Sequence, residues 1–282
     1  MFQDIPDEEN PDFIDDLQVS LLYGIDDLTL DRVNSSLEHD KHSVSGWAYK
    51  ATLLDNLKKY DEAVESWQKA IELDEDNYYL LLMLTSSLDN SKRFDESYAI
   101  SEKILENCVD DNWTISFLTS ISMTALHLKK YDVVITSSRR AMDMLVKQND
   151  EVFEETYQDL CSALYLSHNF NDAEIVANNG LQKFPNNVSL HTRMGQILIA
   201  QKKYQKAIPF FERSLVINSK NDETWFEMAK AYSGLNNIQR ILDCLLITFS
   251  LNSTYKQNIL EDKIFSELKD HPEFQRIFNL SY

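Results

Sequence analysis

The chain has 282 residues, 43% of them hydrophobic and 26% charged, with a formal net charge of −19 and only five glycines and five prolines. So few breakers point to an all-α architecture with short connections, because sandwiches and barrels need many turns. The acidic balance argues against nucleic acid or an anionic membrane surface as partner, since both call for clustered Lys and Arg.

Residues 1–43 carry twelve acids against two bases, about half of the net charge. Phe13, Leu17 and Leu21, then Leu28, Val33 and Leu37, recur at helical spacing and predict a degenerate helix pair turning at Gly24–Asp26. The opening MFQDIPDEENPDFIDD has neither a basic start nor an apolar run, so it does not read as a secretory signal. Cys108, Cys161 and Cys244 are too far apart for a local metal motif or a dense disulfide framework. No apolar run approaches the length of a membrane span. These features lead to the expectation of a cytoplasmic protein.

From Val44 onward the chain repeats. Lys-Lys-Tyr-Asp at Lys58–Asp61 returns as Lys92–Asp95, Lys129–Asp132 and, with Gln in place of the acid, Lys202–Gln205. The turn residue falls at Tyr60, Phe94, Tyr131, Phe170, Tyr204 and Ile238, at intervals of 34, 37, 39, 34 and 34. A fixed period in this range signals stacked supersecondary units. In the first unit Trp47, Ala51, Leu54 and Leu57 form one apolar helix face, and Ala63, Trp67, Ala70 and Ile71 form a second after the turn. Asp61, Asp95 and Asp132 stand where an N-cap or first-turn acid favours the new helix. The expected boundaries are 44–77, 78–111, 115–148, 154–187, 188–221 and 222–255. In the third unit the stretch before Asn149 has no breaker, and the extra residues read either as a lengthened second helix or as a loop insertion. Residues 256–282 predict a helical cap split at His271–Pro272, with Phe265, Leu268, Phe274 and Ile277 sealing the last unit.

Four units carry a recognisable set of residues. They are Trp47, Ala51, Tyr60, Ala63, Trp67 and Ala70; Tyr157, Leu160, Cys161, Leu164, Ala173 and Pro185; Met194, Gly195, Leu198, Tyr204, Ala207 and Phe211; and Trp225, Met228, Ala229 and Tyr232. This pattern resembles the tetratricopeptide repeat (TPR). The resemblance implies a right-handed α-solenoid of six helix pairs over residues 44–255, whose first helices line a concave groove for an extended or helical peptide. It implies a protein-interaction scaffold or adaptor. The alternative is a self-associating structural protein that uses an end repeat or the acidic N-terminal segment.

Groove-facing steps on the first helices give Ser45, Thr52, Tyr79, Ser86, Thr119 and Met123, then Gln158, Thr192, Gln196, Phe226 and Lys230. A local echo, Leu-Leu-Asp-Asn at Leu53–Asn56 and Ser-Leu-Asp-Asn at Ser87–Asn90, would stack Asp55 with Asp89, and Asn56 with Asn90 and His127, along one edge. Either these residues merely end the first helix, or the amides bond a peptide backbone and the acids attract a basic side chain. The chaperone-tail clamp known in the family is disfavoured, because Ala48, Thr52, Met83, Ser116 and Ser120 hold its positions and none is basic. The six histidines show no HExxH spacing, and there is no GxGxxG, Walker loop or GxSxG. No catalytic residue, cofactor or metal is therefore expected. His191, in the slot of Trp47 and Trp225, reads as a packing residue, and Cys161 as a small core residue.

Overall fold

The computed structural model describes residues 27–278, with side chains from residue 30. The expected first helix at residues 13–23 and its turn lie outside the described residues. The chain divides into two compact units, Met1–Met144 and Leu145–Tyr282.

Unit 1 contains α1 (Asp27–His39) and three hairpins: α2 (Val44–Asn56) with α3 (Tyr60–Leu73), α4 (Tyr78–Asn90) with α5 (Phe94–Asn107), and α6 (Asp111–His127) with α7 (Tyr131–Lys147), all but the last turn of which lies in this unit. Unit 2 contains α8 (Glu154–Leu166) with α9 (Phe170–Lys183), α10 (Val188–Ala200) with α11 (Tyr204–Ile217), and α12 (Asp222–Gly234) with α13 (Ile238–Leu251). It ends in α14 (Tyr255–Glu261), a 3-10 turn at Lys263–Leu268 and α15 (Pro272–Phe278). No strand occurs among the described residues. Within each unit every second helix packs on the next first helix, and first helices also touch, as α4 does α6 and α10 does α12.

Capping explains where the first helices begin. The side chains of Ser43, Asn77, Asp110, Asn187 and Asn221 accept from backbone N–H groups of the helix they precede. The second helices start at the turn residue, and Asp61, Asp95 and Asp132 serve there as first-turn acids rather than caps.

The turns explain the scarcity of glycine. Lys58, Lys92, Lys129, His168, Lys202 and Asn236, each two residues before the turn residue, take φ between 54° and 63°. The following N–H closes each helix on the carbonyl five residues back, from Lys59 to Leu54 through Asn237 to Tyr232, at 2.7 to 3.1 Å. This closure repeats six times with no glycine at the left-handed position.

Inside the hairpins two facing positions, one on each helix, meet in the core. Gly195 on α10 faces Phe211 on α11, so closely that a Cβ there would lie 2.4 Å from the ring. The same two positions hold Ala51 and Trp67 in the first hairpin and Ala229 and Leu245 in the last, all six residues in the core. In the middle hairpins both positions hold small residues: Thr85 with Ser101, Ser122 with Ser138, and Cys161 with Ala177. Ser138 donates to Ser122 at 3.2 Å, which confirms that the two positions meet.

The third hairpin has 17 residues in both helices, against 13 and 14 in the first hairpin, so the lengthening reaches α6 as well as the expected α7. The C-terminal cap has three pieces where two were expected, because Asp262 caps a 3-10 turn through its bond from the Ile264 N–H. Phe265, Phe274 and Phe278 are fully enclosed, and Leu268 and Ile277 are buried with them.

Candidate functional site

The surface left open by each unit is the stripe on its first helices that no second helix covers. In unit 1 it holds Ser45, Thr52, Asn56, Ser86, Asn90, Met123 and His127 exposed, with Tyr79 and Thr119 half-buried. Much of its polarity is already spent. Thr52 donates to the Ala48 carbonyl at 2.9 Å, Thr119 to Ile115 at 3.0 Å, and Asn56 Nδ2 to Thr52 at 2.9 Å. The threonines therefore present their methyl groups and oxygen lone pairs rather than a free donor. Met123 is 43% exposed, and Tyr79 stands edge-on to the buried Trp67 at 6.5 Å between ring centroids. His127 lies flat on Phe94, with ring centroids 4.4 Å apart.

Asp55 and Asp89 sit differently from the acidic edge read from the sequence. Asp55 accepts from Trp67 Nε1 at 2.9 Å and from Ser87 Oγ, one repeat on, at 2.7 and 2.8 Å. Asp89 accepts from Thr124 Oγ1 at 3.0 Å, again one repeat on and at the equivalent position. Both are half-buried. Burial pushes both carboxyls above their ordinary value, against the pull of their hydrogen-bond donors and, for Asp89, of His127. They tie neighbouring repeats together.

Unit 2 presents a charged stripe on α8, α10 and α12. Gln158 is half-buried there, and three expected groove residues lie inside the stack. Thr192 is 4% exposed and bonds Ser214 at 2.9 Å and Thr224 at 2.7 Å, which joins one repeat to the next. Gln196, at 6%, accepts from Arg193 at 2.7 Å and donates to Glu223 at 3.1 Å. Phe226, at 8%, is covered by the cap, its ring 5.1 Å from Tyr255 and 6.0 Å from Phe265. The cap occupies the space a seventh repeat would fill, so this position cannot face a ligand. Lys230 pairs with Glu227 at 2.9 Å and lies 4.3 Å over the Phe226 ring.

Sequence reasoning passed over Glu155 and Asp159 on α8. Burial, with the Glu155 charge beside it, pushes the Asp159 carboxyl up to about 6. The signal was available one residue beyond Gln158, where Asp159, Arg193 and Glu227 share a position in successive repeats. The thiols of Cys161 and Cys244 are raised to about 12 by burial, which leaves them unreactive at neutral pH. Among the described residues no group of three or more His, Cys, Asp or Glu is placed to hold a metal ion, and no helix is long and apolar enough to cross a membrane.

Comparison with known proteins agrees with this geometry. Residues 44–77 and 188–221 each match a family model described as the tetratricopeptide repeat. No curated protein matches the chain. Among solved structures, a tetratricopeptide repeat protein from Parabacteroides merdae aligns at 13% identity with a TM-score of 0.62, over 86% of this chain and 90% of its own. YrrB, described as a TPR protein with an unusual peptide-binding site, aligns at 14% identity and TM-score 0.53, over 68% of this chain and 95% of its own. A thermophilic TPR protein from Thermus thermophilus aligns at 17% identity and TM-score 0.50, over 65% and 100%. These likenesses establish the fold as an all-α solenoid of helix pairs. Two stretches of the chain, residues 44–77 and 188–221, thus match the tetratricopeptide repeat directly, and the same turn closes all six hairpins.

Proposed function

We propose that the protein is a non-enzymatic adaptor that holds a segment of a partner protein against the first-helix face of unit 1. Tetratricopeptide repeats serve in general as protein-interaction scaffolds, and this reading places the contact on α2, α4 and α6. The observation that carries it is the open stripe itself. Its threonine donors are spent on their own helices, while Met123 is exposed and Tyr79 half-exposed. A surface of methyl groups, a thioether and an aromatic ring favours apolar side chains, extended or helical, and methionine adapts to irregular partners. Ser45, Ser86, Asn56 and Asn90 around it can bond the partner's backbone. The peptide-binding site named for YrrB supports the same class of partner. In this reading residues 44–255 are the repeats, of which those of unit 1 make the contact, and 256–282 cap the last repeat.

The test is crosslinking in lysate followed by mass spectrometry, comparing the native chain with a Tyr79→Ala, Met123→Ala double variant. Crosslinks on α4 and α6 that disappear in the variant support the reading. Undiminished recovery of the same partner at the same residues overturns it.

A further inference from the structure

We propose that the joint between the second and third hairpins is a hinge with a latch. α5 opens together with the turn ends of α4 and α6, about an aromatic cluster at the opposite edge, and so sets how far apart α4 and α6 stand. The inference concerns motion within unit 1 and does not depend on what its open stripe binds.

α5 has little apolar anchorage. α3 sends Ala63, Val64, Trp67 and Ala70 into the core, and α7 sends Val134 and Ala141. The buried residues of α5 are two serines, Ser97 and Ser101. The apolar cluster of the first hairpin runs on into α4 through Leu80, Leu84 and Leu88, but reaches α5 only at the half-buried Ile100. Ser101 is fully enclosed, and among the described residues its hydroxyl has no hydrogen-bond partner. A helix with few buried apolar contacts and an unmet buried donor opens at low cost.

What holds α5 at the turn edge is polar. The Thr124 hydroxyl of α6 stands 3.0 Å from the Asp89 carboxylate of α4 and 3.3 Å from the Ser97 hydroxyl of α5, so it joins three helices. Phe94 stacks flat on His127 at 4.4 Å, and Lys130, in the turn after α6, holds its ammonium 3.4 Å over the Tyr98 ring. At the opposite edge Tyr78 of α4 meets Trp113 and the fully enclosed Phe117 of α6, at 6.1 and 6.3 Å between ring centroids. Ring packing is non-directional and survives a small rotation, whereas hydrogen bonds do not. The joint therefore turns about Tyr78, Trp113 and Phe117, and Asn90 and His127 part at the latch edge. The joint before it has the same tie, Asp55 to Ser87, but Trp67 is buried within it and keeps it shut.

The test is amide hydrogen exchange read by mass spectrometry on the full-length protein at neutral pH. Protection across α5 should be at least about tenfold lower than across α3. Thr124→Val keeps the shape and takes the donor from Asp89, so it should lower protection about a further tenfold in α5 and in the last turns of α4 and α6. α3 and the segment around Trp113 and Phe117 should keep theirs. Ser101→Ala removes the unmet hydroxyl and should raise protection in α5 about fivefold. If Thr124→Val folds poorly, Lys130→Ala, at an exposed position, should loosen the same segments about threefold. Equal protection in α5 and α3 overturns the proposal, and so does a Thr124 or Lys130 variant that loosens α3 as much as α5.

Discussion

Asp55 and Ser87 stand 32 residues apart and meet at 2.7 Å, the carboxylate of one repeat accepting the hydroxyl of the next. Asp89 and Thr124 repeat the arrangement one period later, at 3.0 Å. The same carboxylate of Asp55 also takes the indole N–H of Trp67, a side chain only 1% exposed. Asp55 thus joins a hairpin to itself and to its neighbour.

Asp55→Ala should destabilise unit 1 by about 1–3 kcal/mol, because it leaves the buried indole donor without a partner. Ser87→Ala should cost less, and the two together less than their sum, since both remove one bond. Denaturant unfolding of the single and double variants measures the coupling. Strict additivity would show that the two side chains do not act together.

His191 occupies the position of Trp47 and Trp225, and all three reach the same target. The indoles donate to the carbonyls six residues back, Lys41 and Ser219, at 3.0 Å each. His191 Nε2 meets the equivalent Pro185 carbonyl at 3.0 Å, while its Nδ1 is buried without a partner. His191→Trp keeps the donor and removes the orphan, so a gain of about 1 kcal/mol is expected. A thermal melt that falls instead would mean that the ring slot beside Phe210 is too small.

The repeat was legible where residue identity and residue role coincide, as at Trp47, Tyr60 and Gly195. Repeats two and three look degenerate because Thr85 with Ser101 and Ser122 with Ser138 put small polar residues at both facing positions, where the first and fifth hairpins have a small residue against a large ring. The echo of Asp55 in Asp89 was visible, but its purpose was not: each acid's partner is an ordinary hydroxyl a period away, and only the stack brings them together. Phe226 sits at a groove position and is lost to it because the cap, a tertiary feature, lies over it. Asp159 escaped notice because carboxylates are common in this chain, and only burial distinguishes this one.

Gly195→Ala should destabilise unit 2 by about 1–3 kcal/mol, since the new methyl would meet the rigid Phe211 ring rather than a flexible chain end. Phe211→Leu in the same chain should recover part of that loss, because Ala229 with Leu245 already occupies the two positions in the last hairpin. Melting curves of the three variants check this exchange. If Phe211→Leu worsens the alanine variant by its full individual cost, the two positions do not share volume.

Asp159 links unit 2 to pH. Its carboxyl titrates at about 6 in the fold against an ordinary 3.8, with burial the larger cause and Glu155 the smaller. The folded state therefore holds this proton more tightly than the unfolded chain. The contribution is fully present below the ordinary carboxylate value, declines as pH rises, and is lost above about 6. Asp159→Asn keeps the shape and removes the charge, so it should stabilise the protein at pH 7 by on the order of 1–3 kcal/mol and shrink that gain towards zero near pH 4. Denaturation midpoints of the native chain and the variant across this range give the difference directly. A gain that is the same at both ends would assign the effect to packing; a loss at pH 7 would mean that the charged carboxylate has a donor within the protein.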